Sequence, residues 1–110
     1  MAFRAAQVVM APDGDPERHR VSLKTSKLEM TVVVCQLMNF DQVVDVCRDL
    51  VENEGVQSIS LCPGCTQEAV GRVASTVGPG VAVNVARGDV SSTMLTGQIL
   101  AKEGWFPQGH

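Results

Sequence analysis

Short apolar runs of strand length alternate along the chain with longer segments whose apolar residues are spaced as on one side of a helix. Residues 3–10, 28–37, 56–61 and 81–86 form the short runs and predict four strands. In the second run, residues 32–35 are apolar at every position. This pattern is typical of a strand in a parallel sheet, where both faces of the strand are covered.

The clearest helix is predicted for residues 40–54. Its apolar residues recur at i, i+3, i+4 and i+7 and form one stripe: Val43, Val44, Val46, Cys47, Leu50 and Val51. Asn39 precedes the stripe as a favourable N-cap residue. Gly55 follows it as the residue that adopts the left-handed conformation at a helix end.

Three weaker patterns also predict helices. Residues 67–77 carry an apolar stripe, and a last helix runs from a serine cap at position 91 or 92 to about position 103. The pair Asp15-Pro16 is typical of a helix start. A short helix is therefore predicted for residues 16–24, although the β-branched residues within it disfavour a helix.

The alternation of strands and helices predicts a single α/β domain over residues 1–110. We expect a small four-stranded, mostly parallel sheet with helices on both faces, Rossmann-like or flavodoxin-like. Such a small sheet has exposed edges, and a homo-oligomer, a dimer or larger, would cover them. Trp105, Phe106 and Pro107 form a tail that we expect to pack on the body of the domain or on a partner.

Composition excludes several classes of function. The net charge is −3 and the nine Lys and Arg residues are scattered, so nucleic acid is not an expected partner. No apolar stretch approaches the roughly 18 residues of a membrane span. The N-terminus lacks a cleavage site, so we expect a cytoplasmic protein whose cysteines are mostly reduced.

The versatile side chains fall mainly in four loops that follow the predicted strands, at residues 12–15, 38–41, 62–66 and 87–92. In open parallel sheets, ligands bind beyond the carboxyl ends of the strands. We therefore place a candidate site at this edge of the sheet.

The sharpest motif is Cys62-Pro63-Gly64-Cys65, between a predicted strand and a helix start. A helix N-terminus favours the thiolate, and this arrangement is used by thiol–disulfide oxidoreductases. The alternative is a glycine turn with two incidental thiols. The pair supplies only two of the four ligands of a structural zinc site, so neither a metal nor another cofactor is predicted.

His19 is a candidate general acid or base, which Asp13 or Asp15 would orient. His19 and His110 are the only histidines in the chain. The alternative for the acidic residues is a capped helix start in solvent.

Arg87 and Asp89, followed by Ser91, suggest a cradle for a small anion at a helix start. Thr66 occupies the equivalent place before the preceding helix. The alternative is simple N-capping by a serine. Neither a G-x-G-x-x-G sequence nor a Walker loop is present.

The segment APDGDPERHR (residues 11–20), followed by LEMTVV (residues 28–33), resembles a family of small bacterial and archaeal α/β proteins of unknown function. Residues 61–64 and 87–89 resemble a Leu-Cys-x-Gly turn and an Arg-x-Asp segment of the same family. The chain departs from that family at Cys65-Thr66, where an aromatic residue and a glycine are usual. The resemblance implies a fold and a site location, with four matching residues: His19, Cys62, Arg87 and Asp89.

The leading hypothesis is a domain that binds a small anionic molecule at the carboxyl edge of its sheet. His19 and Cys62 are the candidate catalytic residues, and the candidate ligand-binding residues are Asp13, Cys65, Thr66, Arg87, Asp89 and Ser91. Two alternatives stay open. The first is a thiol–disulfide redox protein that uses the two cysteines of the motif, and the second is an oligomerising module without chemistry.

Overall fold

The computed structural model describes residues 1–106, which form five strands and three helices. The strands are β1 (Phe3–Ala11), β2 (Arg20–Lys24), β3 (Leu28–Gln36), β4 (Ser58–Leu61) and β5 (Ala82–Val85). The helices are α1 (Phe40–Glu54), α2 (Gln67–Val77) and α3 (Val90–Lys102). Pro107, the last residue of the predicted tail, and His110 lie outside the described residues.

The strands form one sheet in the order β2-β3-β1-β4-β5. The pairs β3–β1, β1–β4 and β4–β5 are parallel, whereas β2 runs antiparallel to β3 at one edge. The prediction of a mixed α/β fold with a mostly parallel sheet is confirmed. The predicted number of four strands is wrong, because β2 adds a fifth.

The predicted helix over residues 16–24 is wrong. A turn comes first, in which the His19 N–H donates to the Asp15 carbonyl at 2.8 Å and the Asp15 carboxylate accepts from the Glu17 N–H at 3.0 Å. The chain then enters β2, where polar and apolar residues alternate with a period of two. The Asp15-Pro16 signal therefore starts a turn, and the strand period decides the rest of the segment.

Helix α1 begins and ends where the sequence predicts. The Asn39 side chain accepts a hydrogen bond from the Gln42 N–H at 3.1 Å. Gly55 has a φ of 69°, and its N–H donates to carbonyls of the last turn. The apolar stripe of α1 is buried, with Val43, Cys47 and Leu50 fully enclosed.

Helices α1 and α2 cover one face of the sheet and form the core with it. The buried side chains from the strands are Ala6, Val8, Met10, Val33, Cys35, Ile59 and Leu61, and those from the helices are Val43, Val44, Cys47, Leu50, Ala69 and Val73. The connections through α1 and α2 both move along the sheet in the same direction, so right-handed crossovers place both helices on the same face.

The prediction of helices on both faces is wrong for residues 1–106. Helix α3 contributes no buried residue. On the face opposite α1 and α2, Gln7, Val21, Leu23 and Asn84 are exposed. The segment between β1 and β3 would have covered this face as a helix, but it forms β2 instead. None of the helices in the described part of the chain combines the length and apolar character that crossing a membrane requires.

We expect Gly14→Ala to lower the free energy of unfolding by about 1–3 kcal/mol, the usual cost of overpacking. Gly14 lies in the turn after β1, where its N–H donates to the Ala11 carbonyl at 3.0 Å. A Cβ at this position would collide with the backbone carbonyl of Cys35 in β3. Because the obstacle is backbone, a side-chain rotation cannot relieve the collision. Urea denaturation measures the change.

Gly71→Ala is the matched control, because a Cβ at this exposed position in α2 meets no atom within 4 Å. We expect it to raise the free energy of unfolding by about 0.5–1 kcal/mol, since alanine favours a helix over glycine. Equal midpoints for the two variants would contradict a steric requirement at Gly14.

Candidate functional site

The turn between β4 and α2 lies beside the end of β1. The Cys62 N–H donates to the Val8 carbonyl of β1 at 3.2 Å. The chain leaves β1 toward β3 and returns through α1 to β4, on the other side of β1. Ligands of open α/β sheets bind at such a reversal of strand order, beyond the carboxyl ends of the strands. The structure thus puts the cysteine motif at the place where this fold type carries its sites.

Two hydrogen bonds shape this turn. The Cys65 N–H donates to the Cys62 carbonyl at 3.1 Å and closes the turn. The Thr66 hydroxyl then accepts from the Ala69 N–H at 3.1 Å, which caps α2. Both cysteines therefore lie at the N-terminus of α2, where the helix dipole favours a negative charge.

The Cys62 sulfur is held by hydrogen bonds that favour its thiolate. The Cys65 thiol contributes most, and backbone N–H groups of Gly64, Met10 and Cys65 add to it. Burial opposes these bonds but does not cancel them, and the pKa of Cys62 falls to about 6. The Cys62 side chain is also partly open to solvent. This combination favours the thiolate form of Cys62 over that of an ordinary cysteine.

Cys65 has the opposite character. It is 1% exposed, and its thiol donates a hydrogen bond to Cys62. That bond and burial raise the pKa of Cys65 far above the ordinary thiol range. The pair therefore consists of a partly exposed thiol with a lowered pKa and an enclosed neighbouring thiol with a raised pKa.

Cys35 and Cys47 are enclosed in the core as free thiols. Burial raises the pKa of Cys35 to about 11 and that of Cys47 to about 12. They therefore act as small apolar side chains at neutral pH, as the apolar patterns around them predict.

An apolar cleft of about 270 Å³ opens beside Cys62. Its other walls come from the ends of β1 and β3, from the turn after Cys62, from α3 and from the tail: Met10, Leu37, Pro63, Gly64, Thr96, Leu100, Trp105 and Phe106. Trp105 and Phe106, the described part of the tail, thus line this cleft. A group that enters this cleft would meet the Cys62 sulfur on an apolar surface.

Arg87 ties the loop after β5 to the cysteine turn. Its Nη1 donates to the Pro63 carbonyl at 2.9 Å. Asp89 follows as the N-cap residue of α3, although its side chain makes no capping hydrogen bond. Ser91 lies exposed in the first turn of the same helix. The structure therefore brings Arg87 to Cys62 and Cys65, with Asp89 and Ser91 a few residues further along the chain.

His19 lies away from Cys62. It precedes β2, and its carbonyl accepts from the Val34 N–H of β3 at 2.9 Å. Two strands, β3 and β1, separate β2 from β4, so about 14 Å of sheet lies between the two residues at ~4.8 Å per strand. The His19 Nδ1 accepts from the Asp15 N–H at 3.0 Å. Asp13 is exposed on the turn after β1 and makes no described contact with the cysteines.

The candidate residues predicted from the sequence do not include most of the residues that line the cleft. Met10 and Leu37 are the last residues of two predicted strands, so their position at the carboxyl edge was available from the strand ends. Thr96 and Leu100 are four residues apart and lie on one side of α3. Only the path of α3 across the edge of the sheet shows that this side faces Cys62.

Within residues 1–106, no group of three or more His, Cys, Asp or Glu side chains is arranged to hold a metal ion. The groups that the structure gathers at this site are the two thiols, the apolar cleft and the Arg87 guanidinium.

Comparison with known proteins matches the chain to a family model. The model of DUF6506, described as a family of unknown function, covers residues 3–100. No curated protein matches the chain. No solved structure matches it either. The resemblance to a family of unknown function is confirmed to that extent. Because the match covers nearly the whole chain, the protein belongs to DUF6506, a family of unknown function.

Proposed function

We propose that the protein performs thiol–disulfide exchange, with Cys62 as the attacking nucleophile and Cys65 as the resolving thiol. One observation carries the proposal. The Cys62 sulfur lies at the start of α2 within hydrogen bonds from backbone N–H groups, and the enclosed Cys65 thiol is its neighbour. Because Cys62 is partly exposed and Cys65 is enclosed, a substrate can reach the Cys62 sulfur first, and the Cys65 sulfur remains next to it for the second step.

The first step is attack on a disulfide substrate. The Cys62 thiolate forms a bond to one sulfur of the substrate, the substrate disulfide breaks, and its second sulfur leaves as a thiolate. The protein then carries a mixed disulfide at Cys62. The hydrogen bonds that held the thiolate become available as its charge is lost.

The second step resolves this intermediate. Cys65 loses its proton to solvent or to the departed thiolate and attacks the Cys62 sulfur, which releases the second substrate thiol. The net change is one disulfide reduced to two thiols, while Cys62 and Cys65 become a disulfide. A second dithiol returns the pair to the reduced state by the same exchange in reverse.

Two features adapt the site to this reaction. Arg87 holds the Pro63 carbonyl and so fixes the turn that positions both sulfurs. The apolar cleft beside Cys62 accepts a substrate whose disulfide is flanked by apolar groups, because burial of these groups contributes to binding.

Binding of a small carboxylate or phosphate is the second candidate, and the position of Arg87 beside the start of α2 favours it. Two contacts compete with such a ligand. The Cys62 sulfur already receives the N–H groups of the turn, and the Arg87 guanidinium already donates to Pro63. If inorganic phosphate at millimolar concentration slows alkylation of Cys62, the anion site gains support.

We expect alkylation of Cys62 by iodoacetamide to follow a titration with a midpoint near pH 6, since the pKa of Cys62 is lowered to about 6. The rate rises as pH passes upward through this value, because only the thiolate reacts. Cys65→Ala removes the strongest of the hydrogen bonds and moves the midpoint upward, toward the ordinary value of 9.0. Mass spectrometry of quenched samples gives the rates.

Cys47→Ala is the control for this titration. It also removes a buried sulfur, but Cys47 makes no hydrogen bond to Cys62, so the midpoint stays near pH 6. A midpoint above pH 8 in the unmodified protein contradicts the stabilisation of the Cys62 thiolate by these hydrogen bonds.

Reaction with an aromatic disulfide reagent, 5,5′-dithiobis(2-nitrobenzoate), tests the proposed exchange. We expect the native protein to release two equivalents of thionitrobenzoate and to end as an intramolecular disulfide. Cys65→Ser releases one equivalent and retains the other half of the reagent on Cys62. Cys62→Ser reacts slowly at best, because the remaining thiols are buried. Absorbance and intact-mass measurements count the products.

One equivalent from the native protein, with a stable adduct on Cys62, would show a nucleophile without a resolving partner and would refute the exchange mechanism.

A further inference from the structure

The face of the sheet opposite α1 and α2, here called the open face, carries an apolar patch. Pairing places Val21 beside Val32 and Leu23 beside Met30 across β2 and β3. Phe3 of β1 lies beside Leu28. Val21 and Leu23 are 65% and 68% exposed. The strand positions that point to this side include no Asp, Glu, Lys or Arg.

The register of β2 turns its apolar residues outward. Its polar residues point to the side of α1, where Arg20 pairs with Glu54 and the Ser22 and Thr31 hydroxyls are 2.9 Å apart. A shift of one residue would exchange the two sets. With the observed register, the fold presents Val21 and Leu23 on the open face.

Helix α3 carries a second uncovered apolar surface. Thr96 and Leu100 face the cleft, while four apolar residues on other sides are each more than half exposed: Val90, Met94, Leu95 and Ile99. Between Ser91 and Ala101 the helix has no charged residue. A helix that is apolar on most sides is ordinarily buried.

The accessible area of the chain exceeds that of a compact monomer by about the area that one partner buries in a dimer. The chain exposes 7195 Å², whereas a compact monomer of 11.7 kDa exposes about 5,900 Å². If ~620 Å², the area of four residues in an unfolded chain, is set aside for residues 107–110, roughly 700 Å² of excess remains. A specific dimer buries about 800 Å² on each partner.

We propose that two copies of the chain form a dimer in which α3 of each copy packs on the open face of the other. The two surfaces complement each other, because a parallel sheet is normally covered by helices on both faces and this chain covers only one. Both surfaces lack charge, as the centres of protein interfaces do. A reciprocal contact of this kind closes with twofold symmetry and leaves neither surface exposed.

Sedimentation over a dilution series tests the pairing with one variant on each surface. We expect the native protein to sediment as a dimer of twice 11.7 kDa. Leu95→Asp on α3 and Leu23→Asp on β2 each give a monomer, since an unpaired carboxylate would be buried in the contact. Both positions are more than half exposed in the single chain, so neither variant disturbs its own core.

Met38→Asp is the matched control. Met38 is 64% exposed and lies on neither surface, and its φ of 67° is one that aspartate tolerates. We expect this variant to remain a dimer. A monomeric native protein, or a dimer that survives either surface variant, overturns the proposal.

A mixture of Leu95→Asp and Leu23→Asp chains identifies which surfaces meet. If α3 packs on the open face, the mixed pair has one contact with both surfaces native and one with both altered, so dimers reappear. If two open faces met instead, the Leu95→Asp chain alone would remain a dimer, and if two α3 helices met, the Leu23→Asp chain alone would remain one. Failure of the mixture to form dimers therefore contradicts the arrangement.

Discussion

The parallel pairing of β1 with β4 is the contact on which the site depends. β4 ends at Leu61, opposite Val8, and the Cys62 N–H makes the last bond to the Val8 carbonyl. Beyond that point the Met10 backbone N–H has no strand beside it and donates to the Cys62 sulfur instead. The end of one short strand thus creates the place for the thiolate. A longer β4 would occupy that N–H with a carbonyl.

Sequence signals predict a helix or strand correctly where interactions between residues close in the chain determine it. The Asn39 cap, the apolar stripe and Gly55 are sufficient to define α1, because each acts within a few residues. The segment after Asp15 differs, since its capping residues favour a helix and its alternation favours a strand. Hydrogen bonding to β3, which the capping residues do not indicate, decides for the strand. The uncovered face of the sheet follows from that single outcome.

The candidate site also has one part that the sequence predicts and one part that depends on the arrangement of the strands. The position of Cys62 and Cys65 at a helix start was predictable, because strand, turn and helix are consecutive in the chain. The distance from His19 to Cys62 was not, because it depends on the order of strands in the sheet. An order with β2 next to β4 would have brought the two residues together. The observed order places β3 and β1 between them.

Helix α3 contributes both to the cleft beside Cys62 and to the proposed dimer contact. Its Thr96 and Leu100 form one wall of the cleft at Cys62, while Leu95 and Ile99 point elsewhere and are exposed. In a single chain, few buried contacts hold this wall, since no residue of α3 is buried. In the proposed dimer the partner's open face would hold the helix from its other side. The width of the cleft, and with it the approach of a substrate to the Cys62 sulfur, would then depend on association of the two chains.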